Sequence, residues 1–138
     1  LRLNVDALSV MIPSSKRTAQ RVVFVCTQNS ARSQMAAAIW NRHGAVPATS
    51  AGTHPADAIH PEALAAARRH HTPITPRSPQ HLHDVLAEGD LVIAVCDNAH
   101  EELPSDLERI HWSVADPARP ATSTAFDTAF AELSERVQ

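Results

Sequence analysis

The feature that most constrains this chain is the junction over residues 22–33. Val22-Val23-Phe24-Val25-Cys26 is an unbroken β-prone apolar run, the pattern of a strand buried on both faces of a sheet. A polar turn follows it, then an alanine-rich segment, Ser33–Arg42, with Gly44 just beyond, which reads as a helix and its stop. Strand, loop and helix in that order open a βαβ unit, and the rest of the chain repeats the alternation. A second short strand is expected over Ala48–Ala51. Pro61 suits a first helical position and opens Glu62–His70, which the proline-rich 72–79 ends. A weaker helix near His81–Ala87 leads through Gly89 into another apolar run, Leu91–Cys96, and Arg109–Val114 is a further strand candidate. Phe126, Phe130, Leu133 and Val137 lie on one face of a terminal helix that would cover the sheet. The expected class is therefore α/β, a three-layer sandwich around a central four-stranded parallel sheet.

Residues 1–20 lack either period beyond an apolar patch at Ala7–Ile12 and are expected to be a loose leader before a single domain over 21–138. Leu1 is not an initiator methionine; a trimmed fragment and a natural start at Met11 both stay open. At 138 residues, 43% of them hydrophobic, the chain supports one core. Its net charge of −3, with Lys and Arg scattered, gives no basic face for nucleic acid. No apolar run approaches the roughly 20 residues of a membrane span. Two cysteines make no disulfide framework, which suggests reduced thiols in a cytoplasmic protein. The nine histidines show no metal-ligand spacing, so no metal and no bound cofactor is expected. His70-His71 suits a helix C-terminus, Trp40 and Trp112 suit the core, and Glu101-Glu102 a solvated face.

The chemistry concentrates in Cys26-Thr27-Gln28-Asn29-Ser30-Ala31-Arg32-Ser33, between the first strand and the first helix. Open α/β sheets bind ligands at such carboxyl ends. Backbone N–H groups of Thr27 to Ala31 and the positive end of the helix can cradle an anion, and Arg32 adds a planar fork of donors for two oxygens of a tetrahedral oxyanion. The same field would lower the Cys26 thiol from about 8.5 towards a thiolate at neutral pH. Ser33 could donate a hydroxyl hydrogen to the sulfur, and Asn29, which tolerates left-handed backbone angles, could hold the loop.

A Cys, five residues, Arg and Ser between an apolar strand and an Ala-rich helix resembles the phosphate-binding signature of the low-molecular-weight protein tyrosine phosphatases and of the arsenate reductases built on the same fold. The resemblance extends to Gln34-Met35-Ala36, Ser50-Ala51-Gly52-Thr53, His60-Pro61-Glu62-Ala63, Asp90–Cys96 and His111-Trp112 ahead of Asp116-Pro117. It implies Cys26 as nucleophile, the 27–32 backbone with Arg32 as the oxyanion cradle, Asp116 as general acid, and Asn29 with Ser50 as the pair bracing the loop. Expelling an oxygen from a tetrahedral centre needs such an acid, and Pro117 fixes the backbone beside it.

Electron counting separates the two branches. Ester hydrolysis needs one nucleophile, whereas reducing arsenate to arsenite needs two electrons from a pair of thiols. Cys96, at the end of the Leu91–Val95 run, is the other thiol, and the resemblance to thioredoxin-coupled arsenate reductases puts it where their resolving cysteine stands. Leu103 occupies the place of their third cysteine. Regeneration would then fall to a thioredoxin-like partner or to a small thiol such as mycothiol or glutathione. Ala37 replaces an acidic residue of many relatives. The phosphatases commonly carry a tyrosine after Asp-Pro, whereas this chain has no tyrosine and continues Ala118-Arg119. Arsenate reduction is the expected activity; phosphomonoester hydrolysis, or oxyanion binding without catalysis, are the alternatives.

Overall fold

A computed structural model describes residues 19–137 apart from residues 45 and 76, so the reading of residues 1–18 as a leader lies outside the described residues. Four strands, β1 (Arg21–Cys26), β2 (Ala48–Gly52), β3 (Asp90–Ala94) and β4 (Ile110–His111), form one sheet in the order β2-β1-β3-β4, all parallel. Five helices complete the described chain: α1 (Arg32–His43), α2 (Pro61–Arg69), α3 (Leu82–Val85), α4 (Asp97–Glu102) and α5 (Ser123–Val137). This is the α/β architecture expected from the alternation of strands and helices. The chain leaves β1 towards β2, then crosses back to lay down β3 on the other side. The carboxyl ends of β1 and β3 therefore flank the point where the winding reverses, which is where such sheets open a crevice.

The core is built on β1. Val22 to Cys26 are all buried, as a strand with a neighbour on each edge and cover on both faces requires. Phe24 sits against both tryptophans, its ring 6.0 Å from that of Trp40 in α1 and 5.6 Å from that of Trp112. Trp40 also satisfies its indole N–H on the Val46 carbonyl at 2.9 Å, so burial leaves no orphaned donor. α1 packs on β1 and β2, and α5 lies against α1 and α2. The stripe of Phe126, Phe130, Leu133 and Val137 is buried throughout, as its helical spacing indicates.

The ends of several elements differ from the sequence reading. Ala19 is buried and the Gln20 N–H donates to the Gly89 carbonyl at 2.9 Å, so these two residues belong to the fold rather than to a leader. β3 stops at Ala94 because Cys96 becomes the cap of α4, a helix the sequence reading did not contain; the Cys96 sulfur accepts the Ala99 N–H at 3.3 Å. β4 shrinks from the expected Arg109–Val114 to two residues for the same reason. Its partner strand turns away after Ala94, and beyond Trp112, whose N–H reaches the Ala94 carbonyl, β4 has nothing to pair with. The 81–87 helix contracts to α3, capped by the His81 ring accepting the His83 N–H.

Truncating Phe24 to alanine removes the ring wedged between Trp40 and Trp112 at the centre of the sheet. A stability loss of about 3–5 kcal/mol is expected for a fully buried phenylalanine, read as a lower urea midpoint with an unchanged denaturant slope.

Candidate active site

The loop after β1 is held from outside. The carbonyls of Cys26, Thr27, Gln28 and Ser30 accept hydrogen bonds from the N–H groups of Thr53 (3.2 Å), His54 (2.8 Å), Ala56 (2.9 Å) and His60 (2.8 Å). All four donors come from the stretch that links β2 to α2. In a trans peptide the C=O and the following N–H point in opposite directions, and no peptide bond among the described residues is cis. The N–H groups of Thr27, Gln28, Asn29 and Ala31 are thereby turned to the inner side of the loop. The Asn29 N–H shows the direction, reaching the Cys26 sulfur at 3.2 Å. Behind the loop, α1 begins at Arg32 with no side-chain cap on its first N–H groups, leaving a twelve-residue helix N-terminus open to an anion.

Gly52, at the end of β2, lets this support come close enough. A Cβ there would lie 2.6 Å from the Thr27 carbonyl oxygen and 3.0 Å from the Asn29 nitrogen, both backbone atoms that cannot yield easily. Asn29 is fully buried with φ of 54°, a left-handed angle that asparagine tolerates. Its Nδ2 donates to the Ser33 hydroxyl at 2.7 Å, and its Oδ1 accepts the Gln80 N–H at 2.9 Å. Gln34 donates to the Asn29 carbonyl at 3.1 Å. The Ser33 oxygen, already an acceptor from Asn29, is free to turn its own hydrogen on the Cys26 sulfur 2.9 Å away. Asn29 thus braces the loop through Ser33, Gln34 and Gln80. Ser50, expected as its partner, is buried in β2 in register with Phe24, and the hydrogen bonds of Asn29 run elsewhere.

Cys26 is only 3% exposed, and that burial works against the acidified thiol expected from its neighbours. Burial pushes Cys26 up and outweighs what pulls it down: the hydroxyl and backbone N–H of Ser33 and the charge of Arg32; Cys96 adds a smaller upward push.

Arg32 reaches across the mouth of the loop. Its Nη1 donates to the Val114 carbonyl at 2.8 Å, and Nη2 stands 3.9 Å from Asp116 Oδ1. Asp116, half-exposed, accepts the Ala118 N–H at 3.0 Å in a tight turn, so Arg32 ties the Asp116 segment to the cysteine loop. One cleft contains Cys26, Thr27, Gln28, Ser30, Ala31, Arg32, Cys96, Asn98 and Asp116, and among the described residues no aromatic side chain lines it. Cys96 is a free, buried thiol whose sulfur lies 3.6 Å from the Thr27 hydroxyl. The β1–β3 register runs Val25 to Ala94, which sets Cys96 at the level of Thr27, one residue past Cys26. Among the described residues no group of three His, Cys, Asp or Glu side chains could hold a metal ion.

Residues 21–138 match the family model described as low molecular weight phosphotyrosine protein phosphatase. The chain belongs to that family. An arsenate reductase of Bacillus cereus (strain AH187) is 33% identical over 129 residues, covering 85% of this chain and 90% of its own. The crystal structure of an arsenate reductase from Archaeoglobus fulgidus DSM 4304 is 29% identical with a TM-score of 0.73, covering 83% of this chain and 94% of that one. A structure described as an arsenate reductase in the phosphate binding state is 26% identical at the same TM-score, covering 85% and 92%. The family's sandwich of helices about a four-stranded parallel sheet is the fold found here.

The sequence reading missed the outer support of the family's loop. Thr53, His54, Ala56 and His60 act through backbone N–H groups, which carry no side-chain signature. Gly52, required by close approach, was the available signal. Gly52→Ala is expected to push the loop off its support and weaken oxyanion binding at least tenfold while the protein stays folded, as measured by phosphate or arsenate titration. For Cys26, the rate of alkylation without oxyanion should rise with pH through a midpoint above that of an ordinary cysteine thiol. Ser33→Ala, by removing a group that favours the thiolate, should move that midpoint higher still.

Proposed function

We propose that this chain is a thiol-dependent arsenate reductase that works through Cys26. The observation that carries this reading is the presence of a second thiol, Cys96, on the same cleft as the Cys26 loop, because only the redox reaction needs two. The names of the similar proteins favour the same branch. So does the cleft, whose lack of aromatic residues suits a small inorganic oxyanion better than the ring of a phosphotyrosine.

Arsenate would enter the loop and take the inward N–H groups of Thr27, Gln28, Asn29 and Ala31. Arg32 would leave the Val114 carbonyl to present two donors to it. The buried Cys26 thiol would pass its proton to an arsenate oxygen as the negative charge of the anion is met by these donors. The thiolate attacks arsenic, an S–As bond forms, and an As–O bond breaks with its oxygen protonated by Asp116 and lost as water. A second thiol then attacks the Cys26 sulfur. The S–S bond forms, and the S–As pair of electrons leaves with arsenic, which falls from As(V) to As(III). Two thiols lose two electrons in all; the water carries off one arsenate oxygen with the Cys26 proton and the Asp116 proton, the second thiol's proton goes to an arsenite oxygen, and Asp116 regains a proton from solvent.

Cys96 is the internal candidate for the second thiol, and an external thiol is the other. Leu103 stands where a third cysteine would continue a relay, so a thioredoxin-like protein or a small thiol such as mycothiol or glutathione would restore the dithiol. Reduced, buried thiols are suited to a cytoplasmic setting. The oxyanion cradle serves phosphomonoester hydrolysis equally well, and that is the competing activity.

The test is arsenate reduction with each thiol donor, run beside hydrolysis of an aryl phosphate. Arsenite formation that Cys26→Ser abolishes is expected; aryl phosphate hydrolysis without any arsenite would put a phosphatase in its place. Asp116→Asn should lower turnover by about 10²–10⁴ while arsenate affinity stays nearly the same, since the acid acts on the leaving oxygen. Arg32→Lys should weaken arsenate binding, because a point charge cannot replace the planar fork.

A further inference from the structure

Cys96 and Glu102 stand at opposite ends of α4, a helix of six residues, too short to be held by its own hydrogen bonds. Glu102 Oε1 accepts from the Thr53 hydroxyl at 3.0 Å and from Asn98 Nδ2 at 2.8 Å, and Oε2 pairs with His54 Nε2 at 2.5 Å. Thr53 and His54 are the residues whose backbone N–H groups hold the carbonyls of Cys26 and Thr27. Asn98 uses its other amide hydrogen on the Thr27 hydroxyl at 3.0 Å. That hydroxyl, accepting from Asn98, can turn its own hydrogen towards the Cys96 sulfur at 3.6 Å, where the Ala99 N–H also donates at 3.3 Å. One exposed carboxylate therefore closes a ring from the end of α4, through the segment that supports the loop and through Thr27, back to the second thiol. Hydrogen bonding to His54 is the largest influence holding Glu102 below the usual carboxylate range, so it is ionised at neutral pH. Glu102 is not among the residues that line the cleft.

We propose that Glu102 is a positioning residue that keeps Cys96 docked at the front of α4 and sets how readily its sulfur is released towards Cys26. The purpose of that release rests on the reductase reading, whereas the positioning itself does not. In the redox step Cys96 Sγ attacks Cys26 Sγ of the arsenylated protein. The S–S bond forms, the S–As bond breaks with its electron pair going to arsenic, and the Cys96 proton passes to an arsenite oxygen. Before that, the Cys96 sulfur must give up the Ala99 N–H and the Thr27 hydroxyl, and α4 must loosen to let it go. The ties of Glu102 to Thr53 and His54 resist that loosening.

The direct test is alkylation of Cys96 in the Cys26→Ser protein, followed by mass spectrometry. Glu102→Ala should raise the labelling rate on the order of fivefold, the effect of losing an exposed hydrogen-bonded carboxylate. Glu102→Gln should fall between, because its amide oxygen still accepts from Thr53 and Asn98 while the carboxylate oxygen that meets His54 is lost. In the Cys96→Ser protein, labelling of Cys26 should be unmoved by Glu102→Ala, as general loosening of the fold would not leave it. An unchanged Cys96 rate in folded Glu102→Ala, or equal acceleration at both thiols, overturns the proposal. Should Glu102→Ala fail to fold, Thr53→Val and His54→Ala each remove one donor, and no acceleration in either overturns it as well. With both cysteines present, one arsenate turnover should yield the Cys26–Cys96 disulfide faster in Glu102→Ala. If no arsenite forms in any protein while the labelling order holds, the reductase reading fails and the positioning role stands. If arsenite forms and the labelling order does not hold, the reverse is true.

Discussion

The whole site depends on four backbone hydrogen bonds made on the side of the loop away from the chemistry. A loop that offers several N–H groups to an anion must put its carbonyls somewhere, and buried carbonyls without partners are costly. Here Thr53, His54, Ala56 and His60 take them, so the inner face is left to donors alone. Strand register delivers this arrangement. β2 pairs with β1 up to Gly52 opposite Cys26, and the chain leaving Gly52 therefore runs beside the chain leaving Cys26. The donor-lined inner face of the loop is in this sense inherited from the sheet.

The same packing that organises the loop works against ionising its cysteine. Burial favours the thiol, while Ser33, Arg32 and the inward N–H groups favour a negative charge in the loop. An oxyanion that brings its own charge and a basic oxygen fits such a site, since it can accept the proton that burial has kept on sulfur. Arg32 adds a mechanical link. Its hydrogen bond to the Val114 carbonyl and its approach to Asp116 mean that occupation of the loop and placement of the Asp116 segment are read by one side chain.

Much of this was legible in the sequence, for identifiable reasons. The Val22–Cys26 run and the Phe126–Val137 stripe are strong periodic signals, and both elements lie where their patterns put them. Cys26, Arg32, Ser33 and Asn29 announced themselves because each has a chemistry that the loop needs, and the Cys26–Ser33 contact and the left-handed Asn29 follow from it. What escaped was information held in the backbone or in context. The support from 53–60 uses N–H groups that every residue but proline possesses. α4 was invisible because five polar residues and a lone alanine following an apolar strand have no periodicity, and its cap is a cysteine rather than a common capping residue. Glu102, read as part of a solvated face, is exposed as expected, yet it gathers three hydrogen bonds, one from Asn98 in its own helix and two from the distant neighbours Thr53 and His54. The elevated Cys26 thiol was missed because the sequence displays the charges around a cysteine but not the depth at which it is buried.

The most direct measurement is of the loop amides themselves. In a two-dimensional proton–nitrogen NMR titration with arsenate, the backbone resonances of Thr27 to Ala31 and the Arg32 side-chain N–H should shift together with one saturation curve. The amides of Thr53, His54, Ala56 and His60, already bonded to carbonyls, should move far less. Saturation that leaves the 27–31 amides unmoved, or shifts centred elsewhere on the chain, would contradict the account.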